Sequence, residues 1–262
     1  MWAFLEKDIY QKIKMARAMT GNDSNNGIAS PVLPARDIEV IPVKFHPPKK
    51  GFSTAEGQAR MLHDLANIEL QAMELGIRSL YDFPDAPQAF REQLFAVVLS
   101  EADHLEMCLI ELEKLGYSWG HWPVHTALWE ATSVEDTLLD RILIVHRYLE
   151  GSGLDAGDTL IRRLKGVESK SVFAAVEIIN REEVGHVLFG SEWYFNICRA
   201  SGFDPNTDYP ERMRKLKWVL PKRMEPLNHD LRKKAGFTES ELQYLENLRL
   251  SFLPDKFQNT RL

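Results

Sequence analysis

Four glutamates interrupt the apolar faces of four long helical stretches, and this feature restricts the folds open to the chain more than any other. Leucine, valine and alanine recur at spacings of three and four residues around Glu69, Glu101, Glu150 and Glu183, which predicts amphipathic helices whose apolar faces form a core. The glutamates lie on those same faces. Because an isolated carboxylate is strongly disfavoured in a core, the four side chains need partners that neutralise them.

Two of the glutamates belong to a Glu-x-x-His motif. One motif is Glu101 with His104, in the stretch "LSEADHLEM", and the other is Glu183 with His186, in the stretch "EEVGH". Three residues advance about 300° around a helix, so the carboxylate and the imidazole of each motif point the same way. Each motif therefore offers one oxygen ligand and one nitrogen ligand on a single helix face.

The spacing between the glutamates predicts two helical hairpins. Glu69 lies 32 residues before Glu101, and Glu150 lies 33 residues before Glu183. Each midpoint falls on a turn signal, namely the proline-containing "DFPDAP" and the glycine of "LKGVE". In an antiparallel hairpin, residues equally distant from the turn lie at the same height. Two such hairpins would bring four glutamates and two histidines to one level of a four-helix bundle.

This set of ligands predicts a pair of divalent metal ions. Two such ions neutralise four carboxylates. Helical bundles that hold two iron or two manganese ions use this pattern: two helices each carry a Glu-x-x-His motif, and two other helices each carry a glutamate. Oxygen and imidazole ligands suit iron or manganese. The alternative is that these residues are ordinary helix-surface charges. The expected bridging ligands are Glu101 and Glu183, the terminal ligands are Glu69 and Glu150, and the imidazole ligands are His104 and His186.

Three further residues lie near the ligand stripes. His63 and His146 are candidates for a second shell that orients the ligands, with the alternative that each is a satisfied histidine of the core or its boundary. Glu182 is one turn before His186 and either orients that imidazole or is a solvated charge. The "GSG" that follows Glu150 predicts a break or kink, with a short helical piece around residues 155–164.

The remaining stretches complete an all-α organisation. Residues 1–50 predict a helix, a linker at "GNDSNNG" and an extended proline-rich arm, residues 51–203 the four-helix bundle, and residues 204–262 a C-terminal helical extension packed on it. The connection "YSWGHWPVHTALWEAT" predicts a long crossover between the second and third helices of the bundle. No convincing run of alternating strand residues occurs.

Composition and charge exclude several classes of protein. The net charge of −6 argues against a surface wholly covered by nucleic acid. The two cysteines, Cys108 and Cys198, form no CxxC pattern, which argues against a disulfide framework or a thiolate zinc site. The longest apolar runs are too short to span a bilayer, and the first residues lack the pattern of a secretory signal. We therefore expect a soluble cytoplasmic protein.

Three segments carry a resemblance to a known group of proteins. The stretches "HDLANIELQAMEL", "SEADHLEM" and "NREEVGHVLFGSEWYF" resemble the ferritin-like superfamily, and more closely the DUF455-type ferritin-like proteins, over residues 40–245. That group is similar in turn to the tRNA hydroxylase that acts on a methylthio-isopentenyl adenosine. The resemblance implies a di-iron four-helix bundle and oxygen-dependent oxidation, without naming a substrate.

The expected function is an oxidoreductase that uses O2 to hydroxylate or otherwise oxidise an organic substrate, such as a small molecule or a modified nucleoside. The alternatives are a ferroxidase or peroxide-handling protein, and a non-enzymatic helical scaffold stabilised by metal. Residues 210–234 contain nine lysines or arginines and three acids, with Trp218 among them. This stretch is a candidate RNA contact, with a solvated face as the alternative. A homo-oligomer is also compatible with the sequence.

Overall fold

The computed structural model describes residues 2–21, 30–167, 169–222 and 224–252. Within these ranges the chain is all-α, as the sequence predicts, and its only β-type pairing is an isolated parallel bridge between Val40 and Val124. None of the helices in these ranges combines the length and the hydropathy needed to cross a membrane. The α-helices are α1 (Ile9–Ala18), α2 (Ala55–Asp82), α3 (Gln88–Lys114), α4 (Leu138–Ile142), α5 (Glu150–Leu164), α6 (Lys170–Ala200), α7 (Pro205–Leu216), α8 (His229–Lys234) and α9 (Glu239–Ser251).

The chain divides into two compact units. The first contains Met1–Leu138 and Leu160–Ile179, and the second contains Leu139–Thr159 and Asn180–Leu262. The domain boundaries predicted after residues 50 and 203 stay a prediction. The predicted linker "GNDSNNG" lies largely outside the described residues.

In the first unit, α2 and α3 form a helical hairpin. The turn after α2 is closed by Arg91, whose Nη1 donates hydrogen bonds to the carbonyl oxygens of Leu80 and Phe83, at 2.7 and 3.0 Å. Further from the turn, Gly76 lies against Val98 so closely that a Cβ at Gly76 would be 2.6 Å from Val98 Cγ2. The contacts pair residues before the turn with residues after it, so the two helices are antiparallel, as the sequence predicts.

Ion pairs attach α1 and the proline-rich arm to α2. Glu74, fully buried on α2, forms ion pairs with Lys12 of α1 and with Arg36 of the proline-rich arm. The two guanidinium nitrogens Nη1 and Nη2 of Arg36 lie 2.6 and 2.5 Å from the two carboxylate oxygens. The arm also accepts a 2.9 Å hydrogen bond at Val32 O from Trp129 Nε1, in the long connection between α3 and α4.

In the second unit, the segment around Glu150 is helical but not uniformly α-helical. A π-helix at Leu143–Leu149 joins α4 to α5, and α5 continues through the "GSG" sequence. The predicted break after Glu150 is therefore wrong. Gly151 instead allows the Arg232 side chain to approach the helix closely, because a Cβ at Gly151 would be 2.9 Å from Arg232 Nη1.

The helical segment from the π-helix to α5 packs against α6. A Cβ at Gly190 would lie under 3.0 Å from His146 Cβ, and a Cβ at Gly157 would similarly collide with the Asn180 side chain. His146 lies opposite Gly190, and further along the chain Gly157 lies opposite Asn180, which precedes Gly190. The two segments therefore run antiparallel. After α6, α9 begins with Thr238 as its N-cap, and the side chains of Thr238 and Glu241 form a capping box.

Candidate metal centre

The two Glu-x-x-His motifs lie in the middle of α3 and α6, where regular helix turns their side chains to one face. Glu101 and His104 are each 1% exposed, and Glu183 and His186 are buried as well. Within each motif the imidazole faces its own carboxylate: His104 Nδ1 is 3.6 Å from Glu101 Oε2, and His186 Nδ1 is 3.4 Å from Glu183 Oε1. The predicted inward orientation of both motifs is confirmed by this burial.

Among the described residues, these four side chains form a group that could hold a metal ion. Each of Glu101, His104, Glu183 and His186 offers one ligand atom, and the four atoms all lie within 4.8 Å of one another. Two carboxylate oxygens and two imidazole nitrogens at this separation are compatible with coordination of a common cation. The chain therefore contains a buried Glu-His-Glu-His cluster as a possible metal site.

Glu69 lies beside this cluster on α2. Its Oε2 atom is 3.6 Å from His104 Nδ1, and the side chain is buried. This proximity follows from the antiparallel packing of α2 and α3, which places residues equally distant from the turn side by side. The 32-residue spacing therefore predicts the relation of Glu69 to the motif on α3 correctly, although Glu69 is not a member of the four-residue group.

Glu150 lies at the junction of the π-helix and α5 and is held there by His146. His146 Nδ1 is 2.9 Å from Glu150 Oε1. The contacts of Gly190 with His146 and of Gly157 with Asn180 set the register of the two antiparallel segments. Counting along this register places Glu150 opposite His186 on α6. Like Glu69, Glu150 is outside the four-residue group.

His146 has the geometry of a side chain that orients a ligand. Its ring is buried, packs edge-to-face on Phe189 with 5.1 Å between the ring centroids, and contacts Glu150 through Nδ1. Within the described ranges, its buried Nε2 atom has no hydrogen-bond partner. A neutral His146 that donates from Nδ1 to the Glu150 carboxylate would keep its lone pair on Nε2. The second-shell role predicted for His146 remains a prediction that this geometry supports.

The other two second-shell candidates have different surroundings. His63 is buried on α2 against the long aromatic connection, where its Nε2 accepts a 3.2 Å hydrogen bond from Gly120 N and its ring stacks on Trp119. Burial lowers the pKa of His63 from 6.5 to about 4, so this imidazole is neutral at physiological pH. Glu182 is exposed on α6 and lies 3.3 Å from Arg181 Nη2. Their predicted roles toward the ligands stay predictions.

The donor set of the cluster and its neighbours is rich in oxygen and contains no thiolate ligand. Cys108 lies one turn after His104, but complete burial and then the charge of Glu69 raise the pKa of its thiol well above the ordinary value. The raised pKa disfavours the thiolate form of Cys108, which is the form that binds metals, and Cys108 is not a member of the four-residue group. Carboxylates with one imidazole per metal fit iron or manganese better than zinc or copper(I).

Some of the basic residues of the stretch 210–234 form ion pairs with acidic residues of the same chain. Arg212 forms ion pairs with Asp208 and Asp140, and Arg232 forms an ion pair with the buried Asp155. Trp218 is 74% exposed, with Lys217 Nζ 4.6 Å from its ring centroid. An RNA contact by this stretch stays a prediction.

Comparison with known proteins gives two matches. The family described as "Protein of unknown function (DUF455)" matches residues 4–243. An uncharacterised protein of Haemophilus influenzae is 32% identical over 206 residues, which cover 76% of this chain and 71% of that protein. No solved structure matches the chain significantly.

Proposed function

Because the chain belongs to the DUF455 family, whose description assigns no chemistry, we propose its function from the site: a di-iron or di-manganese carboxylate oxidoreductase on a ferritin-like four-helix bundle. The enzyme would use O2 to hydroxylate or oxidise an organic substrate. The observation that carries the proposal is the buried group of Glu101, His104, Glu183 and His186, whose ligand atoms lie within 4.8 Å of one another.

The charge of the buried carboxylates supports a metal site. Glu69, Glu101, Glu150 and Glu183 are all buried, and removing a carboxylate from water costs several kcal/mol even after relaxation. Two divalent cations supply the four positive charges that balance them. Two imidazoles can coordinate as neutral ligands, so they add no charge.

The residues present fit such a pair of ions. Glu101, His104, Glu183 and His186 would hold the metals, with Glu69 and Glu150 as additional carboxylate ligands. Within the described part of the chain, the buried Nε2 of His146 has no hydrogen-bond partner, so this region offers one more nitrogen lone pair. When bound, the metals would provide the binding site for O2 and would pass to it the two electrons that an external reductant delivers in each turnover, with the other two electrons coming from the organic substrate. The burial of the ligands excludes bulk water, and His146 holds the Glu150 carboxylate in place.

The first test is metal content. Full-length protein purified without chelator should contain two iron or manganese ions per chain. Glu101→Ala and Glu183→Ala should each abolish binding at both positions. Glu192→Ala, on the exposed face of α6, is the matched control and should retain both ions. If Glu101→Ala or Glu183→Ala still bound two ions per chain, these residues would not be shared ligands and the proposal would fail.

The second test is oxygen chemistry. Addition of Fe(II) and air to metal-free protein should change the visible absorbance. With a chemical reductant present, O2 consumption should be coupled to oxidation of an organic substrate from a set that includes modified nucleosides. Iron oxidation without any organic turnover would indicate a ferroxidase or peroxide-handling protein instead. No absorbance change would indicate a helical scaffold, and either result would overturn the oxidoreductase assignment.

A further inference from the structure

Two buried arginine–carboxylate pairs connect the C-terminal helices to the segment that carries Glu150. Arg147, in the π-helix, donates from Nη1 and Nη2 to the two carboxylate oxygens of Glu241 on α9, at 2.7 and 2.9 Å. Arg232, on α8, donates from Nη2 to Asp155 Oδ2 on α5 at 2.7 Å, and from Nε to Oδ1 and Oδ2 at 3.3 and 3.1 Å. None of these four side chains is more than 4% exposed. Bidentate pairs fix orientation as well as distance.

The first pair is fixed on both sides. The Arg147 guanidinium lies 4.5–5.3 Å from the ring centroids of four aromatic residues, which restricts its movement. Its partner Glu241 also accepts a 2.8 Å hydrogen bond from Thr238 N, as part of the capping box of α9. The position of Arg147 is therefore tied to the first turn of a C-terminal helix. The four aromatic residues are Tyr194, Phe195, Tyr209 and Phe237.

The second pair is fixed in the same manner. Asp155 Oδ1 accepts a 2.7 Å hydrogen bond from Asn228 N, the residue that caps α8. The Arg232 guanidinium also fills the space above Gly151, where a Cβ would be 2.9 Å from Nη1. Any side chain at residue 151 would displace Arg232, which gives this glycine a packing role directly after Glu150.

The two pairs flank Glu150 along the chain. Arg147 is three residues before it, Asp155 is five residues after it, and Gly151 is adjacent to it. Glu150 lies at the end of a π-helix, a conformation that is rare and occurs mostly at functional sites. A segment of this kind needs tertiary contacts to select it over regular α-helix.

We infer that Arg147–Glu241 and Asp155–Arg232 are positioning pairs through which the C-terminal helices hold the π-helix and aim Glu150 at its metal. This inference rests on the proposed function, since it assigns Glu150 a metal to bind. It gives the C-terminal helices a part in metal binding although none of their residues belongs to the buried ligand cluster.

The test compares metal binding with folding in full-length variants. Glu241→Gln and Asp155→Asn each remove one charge from a pair at nearly constant size. We expect them to bind one of the two metals at least tenfold more weakly and to alter the visible spectrum of the Co(II)-substituted protein. Amide hydrogen exchange of residues 143–150 in the metal-free variants should be at least tenfold faster than in the metal-free wild type.

The control is Arg36→Met, which removes a buried arginine from Glu74 while Lys12 remains as a partner. It should lower the melting temperature but leave both metals, the Co(II) spectrum and exchange at residues 143–150 unchanged. If Glu241→Gln or Asp155→Asn does not fold, Glu241→Asp and Arg232→Lys are used instead, because they retain the charges and lose the bidentate geometry. They should show the same weaker metal binding, altered Co(II) spectrum and faster amide exchange, each to a smaller extent.

The outcomes separate the two proposals. If the wild type binds two metals and the pair variants match Arg36→Met in every measurement, the pairs are only structural and this inference is overturned. If the wild type binds no metal, the proposed function fails, and the positioning role fails with it.

Discussion

The close contact between Gly190 and His146 makes Gly190→Ala a sensitive test of how α6 packs on the π-helix. The added Cβ would lie under 3.0 Å from His146 Cβ, a separation that real Cβ atoms essentially never show, and 3.4 Å from His146 Cα. His146 cannot rotate this clash away, because its Cβ is fixed to the backbone. The two helical segments must therefore separate, and His146 carries Glu150 with it.

The expected cost has two opposing parts. Overpacking a well-packed interior costs about 1–3 kcal/mol, whereas replacing glycine by alanine inside a helix gains up to about 1 kcal/mol. Gly185→Ala isolates the second part, because Gly185 is an exposed residue of the same helix and its Cβ would have no atom within 4 Å. The difference in unfolding free energy between the two variants should therefore be about 1–3 kcal/mol, with Gly190→Ala the less stable.

Urea denaturation of both variants measures this difference, and metal titration measures its effect on the site. Gly190→Ala should also weaken metal binding, because a displacement of a few tenths of an ångström moves the His146–Glu150 pair. Gly185→Ala should bind metal as the wild type does. Equal stability of the two alanine variants would show that α6 and the π-helix do not pack as described, and the register that places Glu150 opposite His186 would be wrong.

Two further predictions concern metal removal and pH. Chelation should lower the melting temperature of the wild type, because the buried glutamates then repel one another or take up protons, and readdition of Fe(II) or Mn(II) without oxygen should restore it. His63 should make stability fall as the pH drops from 6.5 to about 4, because the unfolded chain takes up a proton in this window and the folded chain, in which burial lowers the pKa of His63 to about 4, does not. The full loss amounts to about 3 kcal/mol, of which about 2 kcal/mol falls between pH 7 and pH 5. Urea denaturation at these two pH values should therefore show a smaller difference for His63→Gln than for the surface variant His229→Gln.

The sequence predicts the hairpins and the motif geometry because both depend on local signals. Helix periodicity, the prolines after α2 and the glycine between α5 and α6 are all visible in the sequence, and helix geometry converts equal spacing into equal height. These signals predict Glu69 level with Glu101 and Glu150 level with Glu183. In the structure Glu69 lies beside His104, and the register places Glu150 opposite His186, so each prediction is correct to within one helical turn. The inward orientation of Glu101 and Glu183 follows from the same periodicity.

The sequence does not predict the π-helix or the role of the glycines around Glu150. The apolar stretch "LLDRILIVHRYL" satisfies an α-helix as well as a π-helix, so periodicity cannot separate them. Gly151 and Gly157 look like helix breakers, but both allow close approach of a side chain, Arg232 and Asn180. The partner of Arg147 is 94 residues away in sequence, and a pairing at that distance leaves no local pattern.

The buried Glu74 has a consequence for how this protein can be shortened. Its two cations come from α1 and from the proline-rich arm, so a fragment that starts at α2 would keep the carboxylate and lose both neutralising groups. Such a fragment should be poorly soluble or unfolded even though it retains every proposed metal ligand. Any shortened version of the protein, and any evolutionary transfer of the long helices to another protein, must therefore include the first fifty residues or replace Glu74 with an uncharged side chain.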